Sequence, residues 1–149
     1  MIRACLLCLC LGSLALADKD DQQKKDRDAM QGEWACESLT RDGMRLADDD
    51  AQALFRSVKG DAYVVSRFRT KAGSGTFTLD ASKSPKEIDL VAGGPKKVVI
   101  KGIYKIEKDV LTICHAAPGG KRPTAFESKK DSGDTLTVWK KEKQDKQKR

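Results

Sequence analysis

From Tyr63 to Lys140 the chain is made of short runs in which apolar and polar residues alternate, separated by glycine, proline and aspartate. No other feature limits its fold so tightly. Alternation with period two places every second side chain on the same face of a strand. Tyr63 to Arg69 is the first run, and a turn at Gly73-Ser74-Gly75 parts it from Thr76 to Asp80, which sets Phe77 and Leu79 on one side. Ser84-Pro85-Lys86 breaks the chain before Ile88 and Leu90, and Gly93-Gly94-Pro95 breaks it again. Lys97 to Glu107 is the longest run, with Val98, Ile100, Gly102, Tyr104 and Ile106 on one face. A glycine inside such a run suits a sharp bend or bulge. Glu107-Lys108-Asp109 turns this run into Leu111 to Ala116, a hairpin by local preference. Thr124 to Ser128 and Thr135 to Lys140 complete the set, the last after a turn at Asp131-Ser132-Gly133-Asp134.

Ahead of these runs, Gln31-Gly32-Glu33-Trp34 opens a first strand with Trp34 and Cys36 on one face, and Asp42-Gly43 marks the turn after it. From Asp48 the period changes. Ala51, Leu54, Phe55 and Val58 fall at i, i+3, i+4 and i+7, which predicts a helix of about two to three turns. Asp48, Asp49 and Asp50 offer capping oxygens and favourable charge at its start, and Gly60 can end it. One short helix among about eight closely spaced strands gives a mainly β fold, an antiparallel barrel or sandwich. Closure into a barrel removes the exposed edges that so many consecutive strands would leave.

The N-terminus carries Arg3, an apolar run from Ala4 to Leu14, and Ala15-Leu16-Ala17 before Asp18. That pattern is a secretory signal over residues 1–17, and the expected location is secreted, periplasmic or envelope-associated. Residues 18–29 are almost wholly charged or amide and read as a linker. The domain spans 30–141, and 142–149 is a basic tail. The net charge of +7 is concentrated there: Lys140 to Arg149 holds six Lys/Arg against two Asp/Glu. The tail is suited to touching an anionic envelope surface, whereas an exported chain without a nucleic-acid motif gives no reason to expect nucleic acid. Of five cysteines, Cys36 and Cys114 survive cleavage, either as one disulfide or as two separate buried thiols.

Residues 30–141 resemble a domain family of uncharacterised function that is abundant in planctomycete bacteria and whose members often carry a signal peptide. The resemblance rests on Gln31-Gly32-Glu33-Trp34, Pro85-Lys86-Glu87-Ile88-Asp89-Leu90, Gly102-Ile103-Tyr104, Leu111-Thr112-Ile113-Cys114 and Arg122-Pro123-Thr124-Ala125-Phe126. It implies a lipocalin-like barrel and no activity, cofactor or catalytic residue. Gly32-x-Trp34 is also similar to the lipocalin first strand, whose Trp closes the end of the barrel. His115 departs from the family pattern, which has an aromatic after Cys114, and Cys36 is an unusual neighbour for Trp34.

Few residues invite chemistry. Cys114 and His115 are adjacent on a strand, so their side chains point to opposite faces and do not form a thiol–imidazole pair. Asp48-Asp49-Asp50 lacks the glycine and distal glutamate of a calcium loop, and no spacing suits a metal. The expectation is a non-enzymatic barrel without a cofactor, holding a small apolar or amphipathic ligand. Trp34, Phe77 and Tyr104 are the candidate lining, with Arg122, fixed in extended backbone by Pro123, at the mouth. The alternatives are a filled core, with an envelope module working through its surface, and an Arg122 that pairs internally with Asp89 or Glu127.

Overall fold

The computed structural model describes residues 14–143, with side chains from Asp18 onward. The expected signal sequence, save its last four residues, and the basic tail beyond Lys143 lie outside the described residues. Nine strands form one antiparallel sheet: β1 (Gly32–Arg41), β2 (Met44–Arg45), β3 (Leu54–Lys59), β4 (Ala62–Arg67), β5 (Thr70–Asp80), β6 (Lys86–Ala92), β7 (Val98–Glu107), β8 (Val110–His115) and β9 (Thr135–Lys141). Each strand from β3 to β9 pairs with the next, and β1 pairs with both β3 and β9. That second pairing closes β1 and β3 to β9 into an eight-stranded barrel, with β2 as a two-residue flap on β1. A bulge between Cys36 and Ser38 bends β1, whose first residues serve β3 while the stretch from Trp34 to Arg41 serves β9. Asp42 and Gly43 both take positive φ, 50° and 77°, in the tight turn from β1 to β2.

Alternation fills the lumen. Trp34, Phe77, Ile88, Tyr104, Leu111 and Ile113 are almost wholly buried and form one contiguous core. Over one end of the barrel lies α1 (Leu14–Met30), the segment expected to be a linker. Its buried or half-buried positions Gln23, Asp26, Arg27 and Met30 fall at i, i+3, i+4 and i+7, a docking stripe that is mostly polar. Met30 enters the core, and its carbonyl accepts the Trp34 indole N–H at 2.9 Å. Asp26 accepts bonds from the Tyr104 hydroxyl and the Lys86 ammonium, each at 2.7 Å, and from Gln22 at 2.8 Å. Arg27 pairs with Asp61 at 3.1 Å.

Other expectations move. The helix after the first strand, α2, covers only Asp48–Gln52, and Leu54, Phe55 and Val58 belong to β3. The three aspartates do not cap it. Ala47 holds the N-cap position, while Asp48 pairs with Arg45 and Asp50 with Arg67. Gly73-Ser74-Gly75 lies inside β5, and the β4–β5 turn is made by Phe68 and Arg69, both at positive φ. Thr124 to Ser128 is not a strand. Both edges of β8 are already taken by β7 and β9, so this segment runs as a loop, with the Glu127 carbonyl accepting the Cys114 thiol at 3.3 Å. The β7 ladders cross Gly102 without a register shift. A side chain there would meet His115 Cβ at 3.0 Å and Ile88 Cγ2 at 3.2 Å, so this glycine provides room and not a bulge. Glu142, expected to begin the tail, is held by its amide on the Glu33 carbonyl at 2.8 Å and by Arg69 at 3.0 Å.

Candidate ligand-binding site at the α2 end of the barrel

The candidate lining residues meet in the lumen, but as packing. Trp34, Phe77 and Tyr104 are each no more than 2 % exposed and belong to the one core cluster. Arg122 is not at a mouth. From the loop between β8 and β9 its guanidinium donates to the carbonyls of Gly102 (2.7 Å) and Ile88 (3.1 Å) and to Asp89 Oδ1 (2.7 Å), with Glu87 at 3.4 Å. The internal pair with Asp89 is present, and the one with Glu127 is replaced by Glu87. Cys36 and Cys114 are free and buried. Cys36 lies opposite Trp139 and Cys114 opposite Leu136, an odd separation along β9, so the thiols sit on opposite faces of the sheet and form no disulfide. Burial pushes both thiols up to about 11.

The candidate space for an amphipathic ligand is at the other end from α1. A groove of about 470 Å³ lies between the β1–β2 hairpin, α2 and the end of β4. Leu39, Leu46 and Leu54, all packed against the core, give it an apolar side, and Arg41, Arg45 and Arg67 ring it. Arg45 and Arg67 are matched by Asp48 and Asp50 at 3.1 and 2.7 Å. Arg41 has a single weak contact, its Nε to Thr135 Oγ1 at 3.4 Å.

One layer inward from Leu54, on the same face of β3, stands Arg56. It is 5 % exposed and lies in register with Trp34 and Val65. Its guanidinium carbon sits 4.4 Å from the centre of the Tyr63 ring, and its Nε has no hydrogen-bond partner among the described residues. Burial lowers its pKa to about 10, opposed only by Tyr63, so it stays charged at neutral pH. His115 faces the same lumen from β8. Its Nδ1 lies 3.0 Å from the Ala116 carbonyl, an acceptor only, which leaves Nε2 as the free nitrogen of the neutral ring. Burial holds its pKa below the usual imidazole value. The Ala116 carbonyl opposes this, the charges of Arg56 and Arg41 lower it further, and Asp134 opposes them.

Arg56 escaped the sequence reading because Ala51, Leu54, Phe55 and Val58 mimic a helical stripe. The signal that contradicts a helix is Lys59-Gly60-Asp61-Ala62, a two-residue hairpin that makes Leu54 to Lys59 the partner strand of Tyr63. Compared with known proteins, the chain matches no family model, no curated protein and no solved structure.

Proposed function

We propose that this is an exported, non-enzymatic barrel domain that holds a small amphipathic molecule in the groove at its α2 end. The observation that carries this reading is the groove itself, whose volume falls in the range of small-molecule sites and whose walls combine leucines with guanidinium groups. Export rests on the N-terminal charge and hydropathy pattern. The resemblance to the planctomycete family, whose members often carry a signal peptide, supports export and a lipocalin-like barrel. The carrier role rests on the groove, with the ligand moved from the packed centre to the end. The test is native mass spectrometry of the protein purified without detergent from its own host's envelope. A reproducible extra mass, released on denaturation as one small molecule, is the expected result; a bare polypeptide mass in every preparation overturns the carrier reading. The solidly filled α1 half of the lumen favours a second reading, an envelope module with no small ligand that works through its surface. Leu54→Trp, which obstructs the groove, separates the two: it abolishes the bound mass of a carrier and leaves the interactions of a surface module unchanged.

A further inference from the structure

We infer that the lumen beneath the groove is an oxyanion site, in which Arg56, with Arg41 and His115 beside it, receives a carboxylate or phosphate. A buried guanidinium with no carboxylate partner is costly unless something of opposite charge meets it. Every other arginine bordering the groove has a partner of its own or a path to water: Arg45 and Arg67 hold Asp48 and Asp50, and Arg41 is exposed. Arg56 is 5 % exposed, and among the described residues it has no carboxylate partner and its Nε no hydrogen-bond partner; its guanidinium carbon stands 4.4 Å from the centre of the Tyr63 ring. The same lumen offers donors: Arg41 on β1, the buried Thr135 hydroxyl on β9, whose oxygen accepts from Arg41, and His115 on β8 once protonated. The one carboxylate facing His115 is Asp134, just before β9. This inference depends on the proposed carrier role only for how the anion arrives, as the head of an amphiphile entering past Leu39 and Leu54 or as a free ion.

Three probes separate these cases: dodecanoate, 1-dodecanol and inorganic phosphate, each titrated into the whole protein and into Arg56→Met. Trp34, in register with Arg56, reports by fluorescence. Dodecanoate is expected to bind wild type at least about tenfold more tightly than dodecanol, and Arg56→Met to erase that difference. If both amphiphiles bind equally and Arg56→Met changes neither, the groove is a carrier site and the oxyanion inference is overturned. If neither amphiphile binds but phosphate does, through Arg56, the carrier reading fails and the oxyanion site stands. No anion response in wild type overturns the inference. Arg56→Met is expected to fold, since an apolar isostere replaces an unmatched buried charge. A measurement independent of any variant uses the fact that His115 is the only histidine. Its ring proton shift, followed against pH, should titrate at higher pH with phosphate or dodecanoate present, because the anion offsets Arg41 and Arg56. An unchanged titration in saturating anion rules the site out.

Discussion

Removing the Asp26 carboxylate should undo the docking of α1, and Asp26→Ala allows its size to be worked out. Asp26 is 6 % exposed and Tyr104 1 %, and their bond is 2.7 Å long. A buried hydrogen bond to a charged group contributes about 1.5–3 kcal/mol, and a stranded buried hydroxyl costs about 1–3 kcal/mol. Lys86 is 33 % exposed and can turn to water, so its share falls to about 0–1 kcal/mol. These contributions overlap, and Asp26→Ala is expected to destabilise by about 2–4 kcal/mol. Tyr104→Phe keeps the ring in place and leaves Asp26 its bonds from Lys86 and Gln22, so its cost is about 1–2 kcal/mol. The double variant should show a coupling of about 1–2 kcal/mol, since both single changes break the same bond. Urea unfolding followed by the fluorescence of Trp34 and Trp139 measures all four proteins. Burial raises the Asp26 pKa, but the bonds from Lys86, Tyr104 and Gln22 and the Lys86 charge outweigh it and leave the group lowered. Its contribution is therefore fully present above the unfolded carboxylate value, near 3.9, and is lost as pH falls through the lower folded value. The gap between wild type and Asp26→Ala should close over that acid range. A destabilisation under about 0.5 kcal/mol, or a coupling within about 0.3 kcal/mol of zero, would show that α1 is not part of the cooperative fold.

Three further outcomes are expected. Arg122→Ala should cost about 2 kcal/mol in the same urea assay, because it frees the β8–β9 loop from two carbonyls and Asp89, while dodecanoate affinity stays unchanged. Phe68→Asn should raise the unfolding midpoint by a few degrees, about 0.5–1 kcal/mol, since Phe68 is 70 % exposed at φ 49° and asparagine tolerates that backbone better. In anion-free buffer the stability linked to His115 is complete above the unfolded value, near 6.5, and is lost as pH falls through the lower folded value. His115→Gln should flatten that part of the pH–stability curve, and an unchanged slope would place the ring in water.

The barrel was legible because Thr76 to Asp80, β6 and β9 alternate cleanly and the turns from β5 to β8 carry turn residues: Pro85, Gly93-Gly94 and Lys108-Asp109 all fall between strands. Where the sequence misled, a local pattern agreed with the wrong structure. The β4–β5 turn uses Phe68 and Arg69, which no turn rule selects. Their φ values are held by tertiary contacts: the Phe68 amide on the Ala53 carbonyl at 2.8 Å, and Arg69 stacked 3.7 Å from the Phe55 ring. The docking face of α1 carries one apolar side chain in four, so a hydropathy argument sees only a charged segment. Its attachment comes from polar partners more than 50 residues away, such as Lys86 and Tyr104, which no local reading can supply.

The same reasoning separates the two halves of the lumen. At the α1 end the buried charges and the indole meet partners supplied by the chain: Asp26 has Tyr104 and Lys86, the Trp34 indole has Met30, and Arg27, though its Nε is unbonded among the described residues, pairs with Asp61. The carboxylates and the cations of that end are paired with one another, so none of them waits for a ligand. Toward the α2 end the pattern breaks, with Arg56 buried and, among the described residues, without a carboxylate partner, His115 lowered in pKa by burial and then by the charges of Arg56 and Arg41, and a groove opening one layer above. Trp34, Phe77 and Tyr104 drew attention as large aromatics, but large aromatics are what a barrel uses to fill itself. A charge that the fold buries and does not neutralise is better evidence of a site, because packing alone gives no reason to keep it. Methionine at position 56 is expected to be neutral or stabilising, so the arginine there is better accounted for by the proposed anion than by packing.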